Sequence, residues 1–120
     1  MKPFLFSLLF LFGLSSCSSE DDQTALILGS WQGVSWTIKG EDSGRNAASV
    51  KFEFKEDQSY RAIFGTQQEE GTFRLSGNQL YTTATGKAEK MVILSTISTD
   101  KLVMDMNRQG DEEQLTLSRE

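Results

Sequence analysis

From Trp31 to the end of the chain, apolar and polar residues alternate in short runs separated by turn residues. Val50, Phe52 and Phe54 alternate with Lys51, Glu53 and Lys55, and Tyr60, Ala62 and Phe64 alternate with Arg61 and Ile63. Phe73 and Leu75 flank Arg74, Met104 and Met106 flank Asp105, and Leu115 and Leu117 flank Thr116. Successive side chains of a strand point to opposite faces, so a period of two with one apolar face marks a half-buried antiparallel strand. No window after Trp31 holds a helical period.

Counting the runs predicts eight strands, at about 31–38, 49–55, 59–64, 71–75, 79–85, 89–97, 101–107 and 112–119. Short connections let each pair with its sequence neighbour. Eight strands suffice to close an up-and-down barrel around a packed interior or one small ligand, and closure removes the exposed sheet edges. The expected fold is therefore all-β, an eight-stranded antiparallel up-and-down barrel, with a two-sheet sandwich as the alternative. Connections at 56–58, 76–78 and 98–100 are tight and fall at one end. Those at 39–48, 65–70, 86–88 and 108–111 fall at the other and include the longest. One end reads as closed and the other as a mouth, set with Arg45, Asn46, Gln67, Gln68, Lys87, Arg108 and Gln109.

The first residues carry a different signal. Met1-Lys2-Pro3 is a short basic start, and Phe4 to Leu14 is apolar except for Ser7 and Gly13. That is the pattern of a secretory signal, and it is short of the ~20 apolar residues that span a bilayer. Leu14-Ser15-Ser16-Cys17 resembles the lipobox of bacterial lipoproteins. The resemblance implies cleavage before Cys17 and acylation of its thiol, anchoring the chain to a membrane. Cys17 is the only cysteine, so the mature chain has no disulfide. Ser18 to Gln23 is polar and acidic and reads as a flexible tether. Serine after the lipidated cysteine fits delivery to the outer membrane of a Gram-negative bacterium, on its periplasmic face or the cell surface. The expected organisation is a signal peptide at 1–16, a lipidated cysteine and tether at 17–25, and one barrel domain at 26–120.

Composition excludes several chemistries. Without residues 1–16, which include Lys2, 11 Lys and Arg face 17 Asp and Glu, a net charge of −6. This disfavours nucleic acid as a partner. There is no histidine, which removes the commonest general base and metal ligand. Glu69-Glu70 and Glu112-Glu113 are adjacent pairs pointing to opposite faces, and they read as solvated charge rather than an acid–base dyad. No catalytic constellation, metal site or cofactor motif is expected.

Gly29-Ser30-Trp31 opens the first strand after Thr24 to Leu28, and Arg119 ends the last strand, in phase with Leu115 and Leu117. Here the chain resembles the lipocalin-like barrels of the calycin superfamily. The resemblance implies a short helical turn plugging the closed end and a Gly-X-Trp motif (Gly29, Trp31) whose indole packs under Arg119. Thr99-Asp100-Lys101 matches the family's Thr-Asp-Tyr loop only in part. Trp31 has the opposite parity to Val34, Trp36 and Ile38, so either Gly33 marks a bulge or one tryptophan faces outward.

Trp36, Phe52, Phe54, Tyr60, Phe64, Phe73, Leu80, Met104 and Met106 are the inward residues expected to line one cavity. Methionine suits such a wall because its flexible thioether adapts to irregular shapes. Two functions follow. One is a non-enzymatic barrel binding a small hydrophobic ligand, as the lipocalin resemblance implies. The other is a protein-interaction module with a packed interior, serving an envelope partner.

Overall fold

The computed structural model describes residues 19–108 and 110–120, so the signal segment, Cys17 and Gln109 lie outside the described residues. Helix α1 (Ser19–Ile27) leads into nine strands: β1 (Gly29–Ile38), β2 (Glu41–Asp42), β3 (Val50–Phe54), β4 (Ser59–Phe64), β5 (Gln67–Ser76), β6 (Gln79–Ala84), β7 (Glu89–Ile97), β8 (Lys101–Arg108) and β9 (Asp111–Arg119). All neighbours pair antiparallel, and β9 returns to β1 to close an eight-stranded barrel. The two-residue β2 hangs on β1 beyond the point where β3 leaves it, with Thr37 opposite Asp42. Residues 19–25, expected within a flexible tether, are instead helical up to Ile27, whose side chain is buried in the core. Docking of that last turn supplies the tertiary packing that a short helix needs.

The parity conflict in the first strand is resolved by a bulge. Register with β9 shifts between Gly33 and Ser35, so Trp31 (0% exposed) and Trp36 (9%) both face inward while Val34 (58%) faces out. A Cβ on Gly33 would stand 2.2 Å from the carbonyl oxygen of Ala47. The bare backbone thus lets the 3-10 turn Ala47–Ser49 press against β1.

Two of the mouth connections are shorter than expected. Phe64 pairs with Gln67 and Arg108 with Asp111, leaving two-residue turns where loops at 65–70 and 108–111 were expected. Gln67 to Glu70 are polar on both faces, so hydrophobic alternation does not reveal that they belong to β5. Of the mouth connections, only 39–49 is long. It holds the Lys39-Gly40 turn, whose two residues both have positive φ (54° and 80°) as a type I′ hairpin requires, and then β2.

Candidate functional site

Inward side chains change character along the barrel. At the base, Ile27, Trp31, Phe54, Tyr60, Leu102 and Leu117 are each at most 2% exposed and fill the section completely. Toward the other end the inward positions become polar or flexible. On β5 the inward row runs Gln67, Glu69, Gly71, Phe73, Leu75, and on β9 it runs Glu113, Leu115, Leu117. Polar and flexible side chains there leave the upper barrel unfilled.

The result is a cavity of about 760 Å³ open at the mouth. Six of the nine sequence-predicted residues line it: Trp36, Phe52, Phe64, Leu80, Met104 and Met106. Phe54, Tyr60 and Phe73 do not; they are buried beneath it as core. Period two shows which face a residue takes but not how deep it lies along the barrel axis, so these three were grouped with the wall. Aromatic contacts join the two regions. Phe64 meets Phe52 edge-on (5.7 Å, 89°), Phe52 stacks on Phe54 (5.7 Å, 13°), and Phe54 meets Phe73 edge-on (4.9 Å, 65°).

Leu115 and Val92 also line the cavity; Leu115 was legible as an inward position, whereas Val92 lies in the continuous apolar run Met91 to Leu94, where alternation marks no inward face. Two inward carboxylates were not legible. Glu69 lines it and accepts a hydrogen bond from the Tyr60 hydroxyl (2.6 Å to Oε2). Burial first, then the Glu69 carboxylate, push the Tyr60 phenol well above its ordinary value, so it stays protonated as the donor. Glu113 is 4% exposed and accepts from the Trp36 indole Nε1 at 3.0 Å. Both were read from sequence as solvated charge. Opposite facing of adjacent residues holds, but it sends one member of each pair, Glu69 and Glu113, into the barrel.

Arg45 reaches the wall from the long connection, where its guanidinium lies 4.9 Å over the Trp36 ring. The connection is ordered by its own bonds: Ser43 N donates to Trp36 O (2.9 Å), Gly44 N to Asp42 Oδ1 (2.9 Å) and Ala48 N to Asn46 Oδ1 (3.2 Å). Gln67 and Lys87 also face the cavity, whereas Asn46 and Gln68 do not line it.

At the closed end, Arg119 lies 4.1 Å over the Trp31 ring. Its guanidinium donates to the carbonyls of Thr99 (2.6 Å), Leu28 (2.5 Å) and Leu26, tying the helix end and the β7–β8 turn to β9. The Trp31 indole donates to Ile27 O at 2.8 Å. Gly29 has φ +115°, and a Cβ there would come within 2.6 Å of Arg119 Nη1, so only glycine leaves room for the guanidinium. These groups bond the carbonyls of Leu26, Ile27 and Leu28 and close the base.

Residues 27–104 match the family model described as a lipocalin-like domain. The fold is similar to that of a lipocalin-like protein from Bacteroides uniformis ATCC 8492, with a TM-score of 0.62 and 14% identity over 79% of this chain and 99% of that one. An uncharacterized protein from Bacteroides eggerthii DSM 20697 matches with a TM-score of 0.59 and 12% identity over 78% of this chain and 98% of that one. A duf4847 family protein from Bacteroides vulgatus ATCC 8482 matches at 0.57 and 12% identity, over 82% and 97%. At these identities the likeness speaks for the fold alone. No curated protein matches the chain.

Proposed function

The chain belongs to the lipocalin-like domain family, and from that membership we propose that it is a binding protein, not an enzyme, whose barrel takes a small hydrophobic ligand through its open end. The observation that carries this reading is the cavity. Its volume, about 760 Å³, lies within the roughly 300–1,000 Å³ of small-molecule sites. Its wall joins apolar surface from Phe52, Phe64, Leu80, Met104, Met106 and Leu115 to a few polar groups. A barrel serving only as a scaffold for protein contacts has no need of an unfilled, open interior.

In the same reading the chain is a lipoprotein of the cell envelope, anchored by lipid on Cys17 in the outer membrane of a Gram-negative bacterium. The Leu14-Ser15-Ser16-Cys17 sequence supports this. Each buried methylene of an acyl chain contributes about 0.8 kcal/mol, so two or three chains on one residue hold durably. Only Ser18 separates Cys17 from α1, which runs into the sealed base. The base would lie toward the bilayer and the mouth away from it, facing soluble ligands. Among the described residues no helix is long and apolar enough to cross a membrane.

Titrating the purified protein with a neutral apolar dye such as N-phenyl-1-naphthylamine tests the binding reading. Saturable binding is expected, and Val92→Trp, which fills the cavity from its wall, should abolish it while the protein still unfolds cooperatively. No saturable binding to the wild type would overturn the reading and leave the barrel as an interaction module. Anchoring is tested separately, because Cys17→Ala should lose all labelling by a fatty-acid analogue. Retained labelling would contradict it.

A further inference from the structure

The charges around the cavity run against those of the chain as a whole. The protein carries a formal net charge of −5, yet Arg45, Lys87 and Lys90 line the cavity against Glu69, and the other inward carboxylate, Glu113, is buried and bonded to the Trp36 indole at 3.0 Å. The Glu69 carboxylate is already engaged by the Tyr60 hydroxyl at 2.6 Å. The three cations are not neutralised. Lys39, at the same end, Lys51 and Arg74 each have a carboxylate within 3.3–3.5 Å, whereas among the described residues none pairs with Arg45, Lys87 or Lys90. Arg45 is also placed, since the ordered connection carries its guanidinium over the Trp36 ring at 4.9 Å. Strand order puts the β1–β3 connection and the β6–β7 turn on opposite sides of the mouth, so the cations flank the entrance.

We propose that the ligand is an anionic amphiphile, its apolar body in the cavity and its carboxylate, sulfate or phosphate at the mouth among Arg45, Lys87 and Lys90. This rests on the reading of the cavity as a ligand site and adds the ligand's charge class. Unpaired cations over a low-dielectric cavity concentrate positive potential at the entrance, so they draw in an anion and hold it where it stays partly hydrated. The apolar part of the same molecule meets Phe64, Met106 and Leu80. A neutral apolar ligand would leave the three cations unused, and a cationic one would be repelled at the entrance.

Two dyes with the same ring system separate this proposal from the one it rests on. 1-Anilinonaphthalene-8-sulfonate carries the anion and N-phenyl-1-naphthylamine lacks it. Each of Arg45→Gln, Lys87→Gln and Lys90→Gln should weaken the sulfonated dye roughly two- to fivefold, the range of single exposed charge contacts. The neutral dye should be weakened far less than the sulfonated one, so that the ratio of the two affinities changes. Raising the salt concentration should weaken the sulfonated dye selectively. If the triple variant binds the sulfonated dye as the wild type does, or loses both dyes equally, the anionic head site is overturned and the apolar cavity stands. If the wild type binds neither dye, the ligand-binding reading falls with it.

Discussion

The base and the mouth of this barrel are made by the same strands, one end of each strand contributing to each. At the base, Trp31, Phe54, Tyr60, Leu102 and Leu117 close the section with almost no exposure, and Arg119 ties the last strand to the helix end and the β7–β8 turn. At the mouth the corresponding inward positions are Gln67, Glu69, Lys90, Met106 and Glu113, and a volume of about 760 Å³ is left open. Strand number sets the width of the barrel and is constant along its axis. What differs is side-chain polarity and flexibility at successive inward positions. The fully packed section therefore lies at the base, and the open volume at the mouth.

The sharpest way to break that division is to truncate the base. Trp31→Ala removes a fully buried indole and should cost about 3–5 kcal/mol, with Arg119→Ala costing roughly 1–3 kcal/mol through the carbonyls it leaves unpaired. Chemical denaturation measures both. Near-wild-type midpoints would show that the base is not the stabilising half. At the mouth, Met106→Ala should cost about 1 kcal/mol or less, because its partly buried side chain borders the open cavity and its loss encloses no new void. The same variant should measurably change apolar-dye affinity. A loss of several kcal/mol would mean that the upper barrel is packed after all.

A smaller effect separates the ends by pH. Asp57, in the β3–β4 turn at the base, accepts from Ser59 N (3.0 Å) and Ser59 Oγ (2.5 Å), which hold its carboxyl below the ordinary range. Its contribution is full above the unfolded-state value near ~4 and is lost as pH falls through the depressed folded value. Asp57→Asn should flatten the acid side of the stability–pH curve slightly, and an unchanged curve would show that the turn contributes nothing.

The division was half legible in the sequence. Period two gave the strands, the inward face and the barrel, because burial of one sheet face is written directly in alternation. Gly29, Trp31 and Arg119 stood out because a glycine, an indole and a terminal arginine in those places fit one resemblance. Depth was not legible. Phe54 and Phe64 look alike in sequence, yet one is core and the other wall, since strand tilt and register decide how far down the axis a residue sits. The inward carboxylates were missed for a related reason: Glu69 and Glu113 have polar neighbours on both sides, so nothing in the pattern marks them as facing in. Gly33 signalled a bulge only as one of two options, and the Ala47 carbonyl that requires it comes from 14 residues further along the chain.

Methyl-detected NMR during titration with the neutral apolar dye tests the two-part barrel most directly. The methyl groups of Leu80, Val92, Met104, Met106 and Leu115, which line the cavity, should shift, while those of Ile27, Leu94, Leu102 and Leu117, which are buried at most 2% exposed and do not line it, should stay fixed. Shifts confined to the outward Val34, or spread evenly over both sets, would contradict the account.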